Sequence, residues 1–140
     1  MRATDITGTY ELVTRTLASG KILRRPAIAG LYALANGRAN LNLFSRSADD
    51  KLASESSIIC YTLSASRYCE GIICTVRNNL DAPGITNETP PVEDNCTPVG
   101  VEYGKVIFAP PGESDGTIYD RHGFTAGIPG QFVDRWRKVE

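Results

Sequence analysis

Acid–base chemistry is suggested by two residues near the C-terminal end, Asp120 and His122, the latter being the only histidine. Residues two apart on a β-strand project from the same face, so the two side chains would be neighbours. Imidazole ionises near neutral pH, and a nearby carboxylate could orient the ring and raise its basicity. The pair could therefore act as a general acid–base catalyst. The alternative, which such a charged stretch favours, is a solvent-exposed strand end.

A cation and two amides fall on one face of a predicted hairpin. The pair Asn36-Gly37 is typical of a two-residue type I′ turn, which fixes the register of segments 28–35 and 38–45. One face then carries Arg38, Asn40, Asn42 and Phe44, and the other carries Tyr32, Leu34, Ala39, Leu41 and Leu43. If the first face lines a cavity, Arg38 could stabilise a developing enolate or alkoxide. If the apolar face lines it instead, as alternation slightly favours, Arg38 is solvated.

A further candidate is Tyr103, which could donate a hydrogen bond to a ligand carbonyl or could simply flank a turn at Gly104. Motifs for other chemistries are missing from the sequence. It contains no Gly-x-Ser-x-Gly elbow, no phosphate-binding glycine loop and no metal-ligand spacing. We therefore expect neither a metal nor an organic cofactor.

Composition narrows the class of protein to a single domain covering residues 1–140. Lysine and arginine number 15 against 16 aspartate and glutamate, without a basic stripe, so we expect no nucleic-acid partner. The apolar runs are too short to span a bilayer, which predicts no membrane partner. We see no leader peptide and expect a cytoplasmic protein whose four cysteines, Cys60, Cys69, Cys74 and Cys96, are mostly reduced; the alternative is a secreted form in which they are paired.

Strand signals dominate the chain, and we count about nine short strands with no convincing long helix. Regular short strands separated by turn signals predict an all-β sandwich or barrel. The segment Leu80–Pro98 holds four prolines and is expected to be a long, exposed loop near a cavity mouth. Its composition argues against a central strand.

Three motifs, in order along the chain, resemble the small bacterial and fungal lipocalin-like proteins. They are the opening strand Gly8-Thr9-Tyr10-Glu11-Leu12-Val13, the Asn36-Gly37 hairpin, and the closing strand Phe132-Val133-Asp134-Arg135-Trp136-Arg137. The resemblance implies a small closed antiparallel β-barrel in which the strands around Tyr10 and Trp136 pair. Tyr10 would plug one end beneath Arg135 or Arg137, and both aromatic rings would contact ligand. The chain departs from the family pattern by having Tyr10 where tryptophan is usual.

The same resemblance implies a function, because such barrels hold small apolar molecules and some act in natural-product pathways. We predict a cofactor-independent isomerase or cyclase that converts a small, mostly apolar natural-product intermediate. The alternative is a non-catalytic carrier of a hydrophobic ligand. Charged residues that point inward would favour the enzyme, whereas an entirely apolar lining would favour the carrier. Assembly into a homodimer is left open.

Overall fold

Strands make up most of the computed structural model, which describes residues 1–46, 49–80, 82–93, 95–109 and 116–139. A short 3-10 helix, Ala3–Ile6, precedes them. The strands of the described residues are β1 (Gly8–Leu17), β2 (Ile22–Leu23), β3 (Ile28–Ala35), β4 (Arg38–Arg46), β5 (Leu52–Leu63), β6 (Arg67–Asn78), β7 (Ile85–Glu88), β8 (Asn95–Glu102), β9 (Lys105–Phe108), β10 (Ile118–Asp120), β11 (Gly123–Ile128) and β12 (Phe132–Val139). In this part of the chain no helix has the length and apolar character needed to cross a membrane.

Ten of these strands form a closed antiparallel barrel in the order β1-β3-β4-β5-β6-β8-β9-β10-β11-β12. β12 pairs back onto β1, with Leu12 opposite Trp136 and Tyr10 opposite Lys138. β2 and β7 lie outside the ring and pair with β1 and β6. Closure pairs the first strand with the last and removes two sheet edges. The predicted all-β barrel, including the pairing of its terminal strands, is confirmed.

The turn between β3 and β4 also matches its prediction. Asn36 and Gly37 both have positive φ, 54° and 76°, as a type I′ turn requires. The register places Ala35 opposite Arg38 and Tyr32 opposite Leu41. Two adjacent residues that tolerate the left-handed region were therefore enough to fix a sixteen-residue hairpin.

The Pro-rich segment is not a continuous loop, which corrects the expectation. β7 lies within the segment and pairs with Thr75–Asn78 of β6, and β8 begins within it at Asn95. Pro98 is tolerated in β8 because it lies at the end of the β6–β8 ladder, opposite Arg67, and just before the β8–β9 ladder starts. A proline there costs little ladder hydrogen bonding.

A disulfide joins Cys69 to Cys96, so the expectation of reduced cysteines is wrong for this pair. The two residues are register partners on β6 and β8, with Cα atoms 4.0 Å apart. Close pairs of this kind bring two sulfurs within bonding distance, but only the strand register reveals which cysteines face each other. Cys60 and Cys74 are free thiols.

One end of the barrel is closed by the N-terminal helix. Ile6 is fully buried there, and its carbonyl oxygen accepts a 2.6 Å hydrogen bond from the Tyr10 hydroxyl. Tyr10 is itself fully buried and meets Phe124 edge to face, with ring centroids 5.0 Å apart. The helix and the tyrosine thus seal this end, and the cavity lies further along the barrel.

Candidate functional site

A cavity of about 410 Å³ lies inside the barrel, within the size range of small-molecule sites. Aromatic rings dominate its lining: Tyr32, Tyr68, Phe108, Tyr119, Phe124 and Trp136. Leu41 and Leu43 of β4 complete the apolar part. The cavity is therefore shaped to accept a small, largely apolar molecule.

Strand register explains why the rings form one continuous wall. Tyr119 on β10 lies opposite Phe124 on β11, which in turn lies opposite Trp136 on β12. Their centroids are 4.7 Å and 5.4 Å apart in succession, and Phe124 and Trp136 are stacked. Cross-strand aromatic pairs stabilise a sheet and hold each ring in a fixed orientation. A flat ligand would meet a preformed surface.

A carboxylate enters this aromatic cavity from β6. Tyr68 and Glu70 are two residues apart, so both point inward, and the Tyr68 hydroxyl donates a 2.8 Å hydrogen bond to Glu70 Oε2. Burial, together with the nearby Tyr32 and Glu70, raises the pKa of Tyr68 well above its ordinary value. Tyr68 therefore remains protonated and keeps donating to Glu70.

Tyr32 on β3 adds a second hydroxyl to the same region. Burial raises the pKa of Tyr32 to about 12; interaction with Tyr68 opposes the rise, and the negative charge of Glu70 adds to it. Tyr119 is almost completely buried, and its pKa is likewise raised, first by burial and then by Tyr32. At neutral pH these groups are hydrogen-bond donors. In this region the cavity thus combines the Glu70 carboxylate with several neutral phenols.

A partly buried ion pair contributes one of its two residues, Asp134, to the cavity wall. Arg15 on β1 donates to both oxygens of Asp134 on β12, at 2.7 Å and 2.8 Å. The guanidinium also lies over the Phe132 ring, 4.1 Å from its centroid. Asp134 faces the cavity beside Trp136. Bidentate pairing and ring stacking hold Arg15 in one geometry.

The predicted polar face of the β3–β4 hairpin lies on the outside of the barrel. Arg38, Asn40 and Asn42 are exposed. Arg38 donates to the Gly37 carbonyl oxygen at 2.9 Å, and Asn42 accepts a hydrogen bond from Ser56 on β5. Since Leu41 and Leu43 line the cavity, the alternative interpretation of this hairpin is the correct one.

Phe44 belongs to the same outer side of β4. It lines a groove on the outer wall of the barrel, which Asn42 also lines. Leu31 of β3 and Arg25, which precedes β3, line the same groove. It is not among the residues that line the central cavity. The expected contact of Phe44 with an internal ligand is therefore not made.

The acid–base pair predicted from the sequence lies at the closed end, also outside the cavity. Asp120 Oδ1 accepts hydrogen bonds from the backbone N–H groups of His122 and Gly123, at 2.7 Å and 3.0 Å, and so stabilises the β10–β11 turn. Burial would raise the pKa of Asp120, but the His122 N–H and the Arg135 guanidinium outweigh it and lower the pKa. The Asp120 carboxylate therefore serves the turn rather than the imidazole ring.

Tyr103 shares a surface groove with Asp120 and His122, so the structure does bring these three together. Tyr103 is fully exposed and forms a tight turn with Gly104, with φ values of 50° and 72°. Arg38 does not line this groove. The expected joint action of Arg38 with the Asp120–His122 pair is thus not supported by the geometry.

Tyr10 and Trp136, on the terminal strands, were both predicted to contact the ligand, but only Trp136 lines the cavity. Tyr10 is a core residue at the plugged end, and Lys138 rather than an arginine lies over its ring, with Nζ 5.9 Å from the centroid. Arg137 instead pairs with Glu11. Tyr10 therefore fills its predicted role as a plug, beneath a different cation.

Comparisons of this chain with family models, with curated proteins and with solved structures find no match. Among the described residues, no group of three or more histidine, cysteine, aspartate or glutamate side chains is arranged to hold a metal ion. The candidate site accordingly consists of the aromatic cavity and the polar groups within it. The residues that sequence reasoning missed are Arg15, Tyr68, Glu70 and Asp134.

Proposed function

We propose that the protein binds a small, mostly apolar molecule inside the barrel and converts it, without a cofactor, to an isomer or a cyclised product. The observation that carries the proposal is the Glu70 carboxylate, which enters an aromatic cavity while hydrogen-bonded to Tyr68. A cavity that only stored an apolar compound would gain nothing from a carboxylate, because burying charge is costly. A carboxylate among neutral phenols is instead suited to moving protons.

A non-catalytic carrier is the second candidate. It is favoured by one observation: among the described residues, no buried side-chain polar atom lacks a hydrogen-bond partner. Asp134, for example, is fully engaged with Arg15. Polar groups that satisfy each other could serve to stabilise the barrel alone. The two candidates therefore differ in whether bound ligand changes chemically.

The chain's one tryptophan gives a direct test of binding, because Trp136 lines the cavity. Titration with tetralin, a bicyclic hydrocarbon with one aromatic ring, is expected to change Trp136 fluorescence saturably. Ala126→Phe should abolish this response, since Ala126 lines the same cavity. Thr125→Phe is the matched control, because neighbouring residues of a strand face opposite sides. An equal loss in both variants would show that binding does not occur in the cavity.

Conversion is tested separately, because isomerisation and cyclisation leave the molecular mass unchanged. Candidate apolar compounds incubated with the protein are expected to give a product of equal mass and altered chromatographic retention. A compound that binds but is recovered unaltered would support the carrier instead. The kinship with lipocalin-like proteins is part of the same proposal, and it is supported by the closed barrel and its internal cavity. The homodimer stays a prediction.

The cellular compartment needs a different proposal from the one the sequence suggested. The expectation of a cytoplasmic protein was tied to reduced cysteines, whereas Cys69 and Cys96 are bonded. Cross-strand disulfides persist in oxidising compartments and are rare in the cytosol. We therefore propose that the protein works in an oxidising environment.

A further inference from the structure

We propose that the substrate is an apolar carbonyl compound with an acidic C–H bond next to the carbonyl, that Glu70 removes this proton, and that the Tyr32 hydroxyl holds the enolate oxygen. This inference rests on the proposed function, because it requires a ligand in the cavity. It assigns roles to two residues, Glu70 and Tyr32, that line one cavity from different strands.

Glu70 has the position that a general base needs. Its side chain lines the cavity from β6, and one of its oxygens, Oε2, accepts the hydrogen bond from Tyr68. That bond fixes the carboxylate in one orientation, while a carboxylate has further lone pairs to accept a proton. Tyr68 is thus a positioning residue, since its hydroxyl is engaged with Glu70 and not with the ligand.

Tyr32 is suited to donate to the substrate oxygen. It lies on β3, across from Leu41, and lines the cavity. The Tyr68 hydroxyl and the negative charge of Glu70 both influence its pKa. A neutral phenol that stays protonated can stabilise negative charge as it develops on an oxygen atom. The raised pKa of Tyr32, caused first by burial, keeps this donor protonated at neutral pH.

The chemical step needs no further reactant. The Glu70 carboxylate takes the proton from the carbon next to the carbonyl, and the C–H electron pair becomes a carbon–carbon double bond. The carbonyl π electrons move to oxygen, which accepts the Tyr32 hydrogen bond. Protonated Glu70 then returns the proton to the same carbon or to the far end of a conjugated enolate, which restores the carbonyl. Return to the far end shifts a double bond. Exchange results when the acid proton on Glu70 is replaced by one from solvent water before a proton is returned to the same carbon.

The lining also selects the substrate class. Stacked Phe124 and Trp136 offer a flat apolar wall, so the body of the molecule should be planar and apolar. Among the described residues that line the cavity, Glu70 is the one carboxylate without a cation bonded to it, because Asp134 is paired with Arg15. An anionic ligand would meet the negative charge of Glu70. A neutral ketone is therefore favoured over a carboxylic acid.

The test uses 2-tetralone, a bicyclic ketone with acidic C–H bonds, dissolved in D₂O. Proton NMR follows the replacement of hydrogen by deuterium next to the carbonyl, and Trp136 fluorescence measures binding in parallel. We expect Glu70→Gln to slow exchange by about a hundredfold or more, as removal of a general base does, with binding changed less than about threefold. Gln keeps an oxygen for the Tyr68 hydrogen bond, so the barrel should be undisturbed.

Two further variants separate the roles. Tyr32→Phe should slow exchange by roughly a hundredfold, because one preorganised donor is lost. Tyr68→Phe should slow exchange at saturating 2-tetralone while the Trp136 binding titration changes little, because Glu70 loses the hydrogen bond that orients it. Glu102→Gln, on the exposed end of β8, is the matched control and should leave exchange unchanged.

The possible outcomes distinguish this inference from the proposed function. If the wild type binds tetralin and 2-tetralone but exchanges no faster than buffer, the inference is overturned and binding in the cavity stands. If neither compound binds, the proposed function and this inference both fail for this class of ligand. Exchange that survives Glu70→Gln at the wild-type rate would remove Glu70 as the base and overturn the assignment.

Discussion

Removing the Asp134 carboxylate should destabilise the barrel more than any change at a surface ion pair. Asp134→Asn keeps the size of the side chain but leaves the Arg15 guanidinium with only the Phe132 ring as its charge partner. The side chain of Asp134 is 6% exposed and that of Arg15 is 22% exposed. Removing one partner of a buried pair costs about 3–5 kcal/mol. Because water reaches Arg15 partially, we expect the lower end, ~3 kcal/mol.

Thermal unfolding measures this loss directly. For a chain of this length 1 kcal/mol corresponds to roughly 3–4 °C, so Asp134→Asn should lower Tm by about 10 °C. Asp5→Asn provides the control, since Asp5 pairs with an Arg2 side chain that is 84% exposed. Exposed pairs contribute about 0–1 kcal/mol, and Tm should move little in that variant.

A double variant tests the cause rather than the size of the loss. In Arg15→Met with Asp134→Leu, apolar side chains replace both charges, and such replacements of buried pairs are often neutral or stabilising. Stability should therefore return to within about 1 kcal/mol of the wild type. The explanation is refuted if Asp134→Asn costs less than about 0.5 kcal/mol, or if the double variant is as unstable as the sum of the two single variants.

Three other predictions concern packing, the disulfide and alkaline pH. Gly30→Ala should cost about 1–3 kcal/mol and alter Trp136 fluorescence, because a Cβ there would lie 2.8 Å from the ring; an unchanged urea midpoint would contradict this. Intact mass after alkylation without reduction should show two labelled cysteines, and replacing Cys69 and Cys96 by serine should cost about 3.5 kcal/mol for 27 residues of separation. The pKa of Tyr32 in the folded protein is about 12, above its ordinary value of 10.0. Its contribution to the free energy of unfolding is therefore complete below pH 10 and falls by about 1.4 kcal/mol per pH unit as pH rises towards 12. Tm should therefore drop steeply between pH 10 and pH 12, and a flat profile would contradict the burial of the hydroxyl.

Local signals in the sequence were sufficient to predict an all-β sandwich or barrel, and the resemblance to lipocalin-like proteins added the closed barrel. The Asn36-Gly37 pair fixed the β3–β4 register, because few other residues accept positive φ at both turn positions. The pairing of the terminal strands was implied by the resemblance to lipocalin-like proteins, and it is consistent with the burial of Tyr10 and Trp136 in a closed wall. A turn signal acts locally, where sequence spacing maps directly onto geometry, whereas the pairing of strands from opposite ends of the chain does not follow from spacing.

The inward position of Arg15 could not be found by strict alternation, because alternation fails in β1. Alternation from Leu12 puts Thr14 inward and Arg15 outward. The ladder with β12 shifts between Leu12 and Thr14, however, so Arg15 lies opposite Asp134 and both point inward. A bulge adds one residue to one strand and reverses the side on which later residues project. No local pattern in the sequence marks this position, so the ion pair could not be predicted.

The cavity carboxylate and the exposed acid–base pair differ in a way that alternation could have revealed. Glu70 follows Tyr68 by two residues within a strand of twelve, so the aromatic residue reports the direction in which the carboxylate points. Asp120 and His122 instead span the end of β10 and the turn to β11, and this turn breaks the alternation that would have linked them to Phe124. The type of a residue therefore indicates a site less well than its position does. A residue two positions from an inward aromatic residue, on the same uninterrupted strand, also points inward. By that criterion Glu70, although of a common type, is the more credible proton acceptor, and the imidazole of His122 belongs to a surface turn.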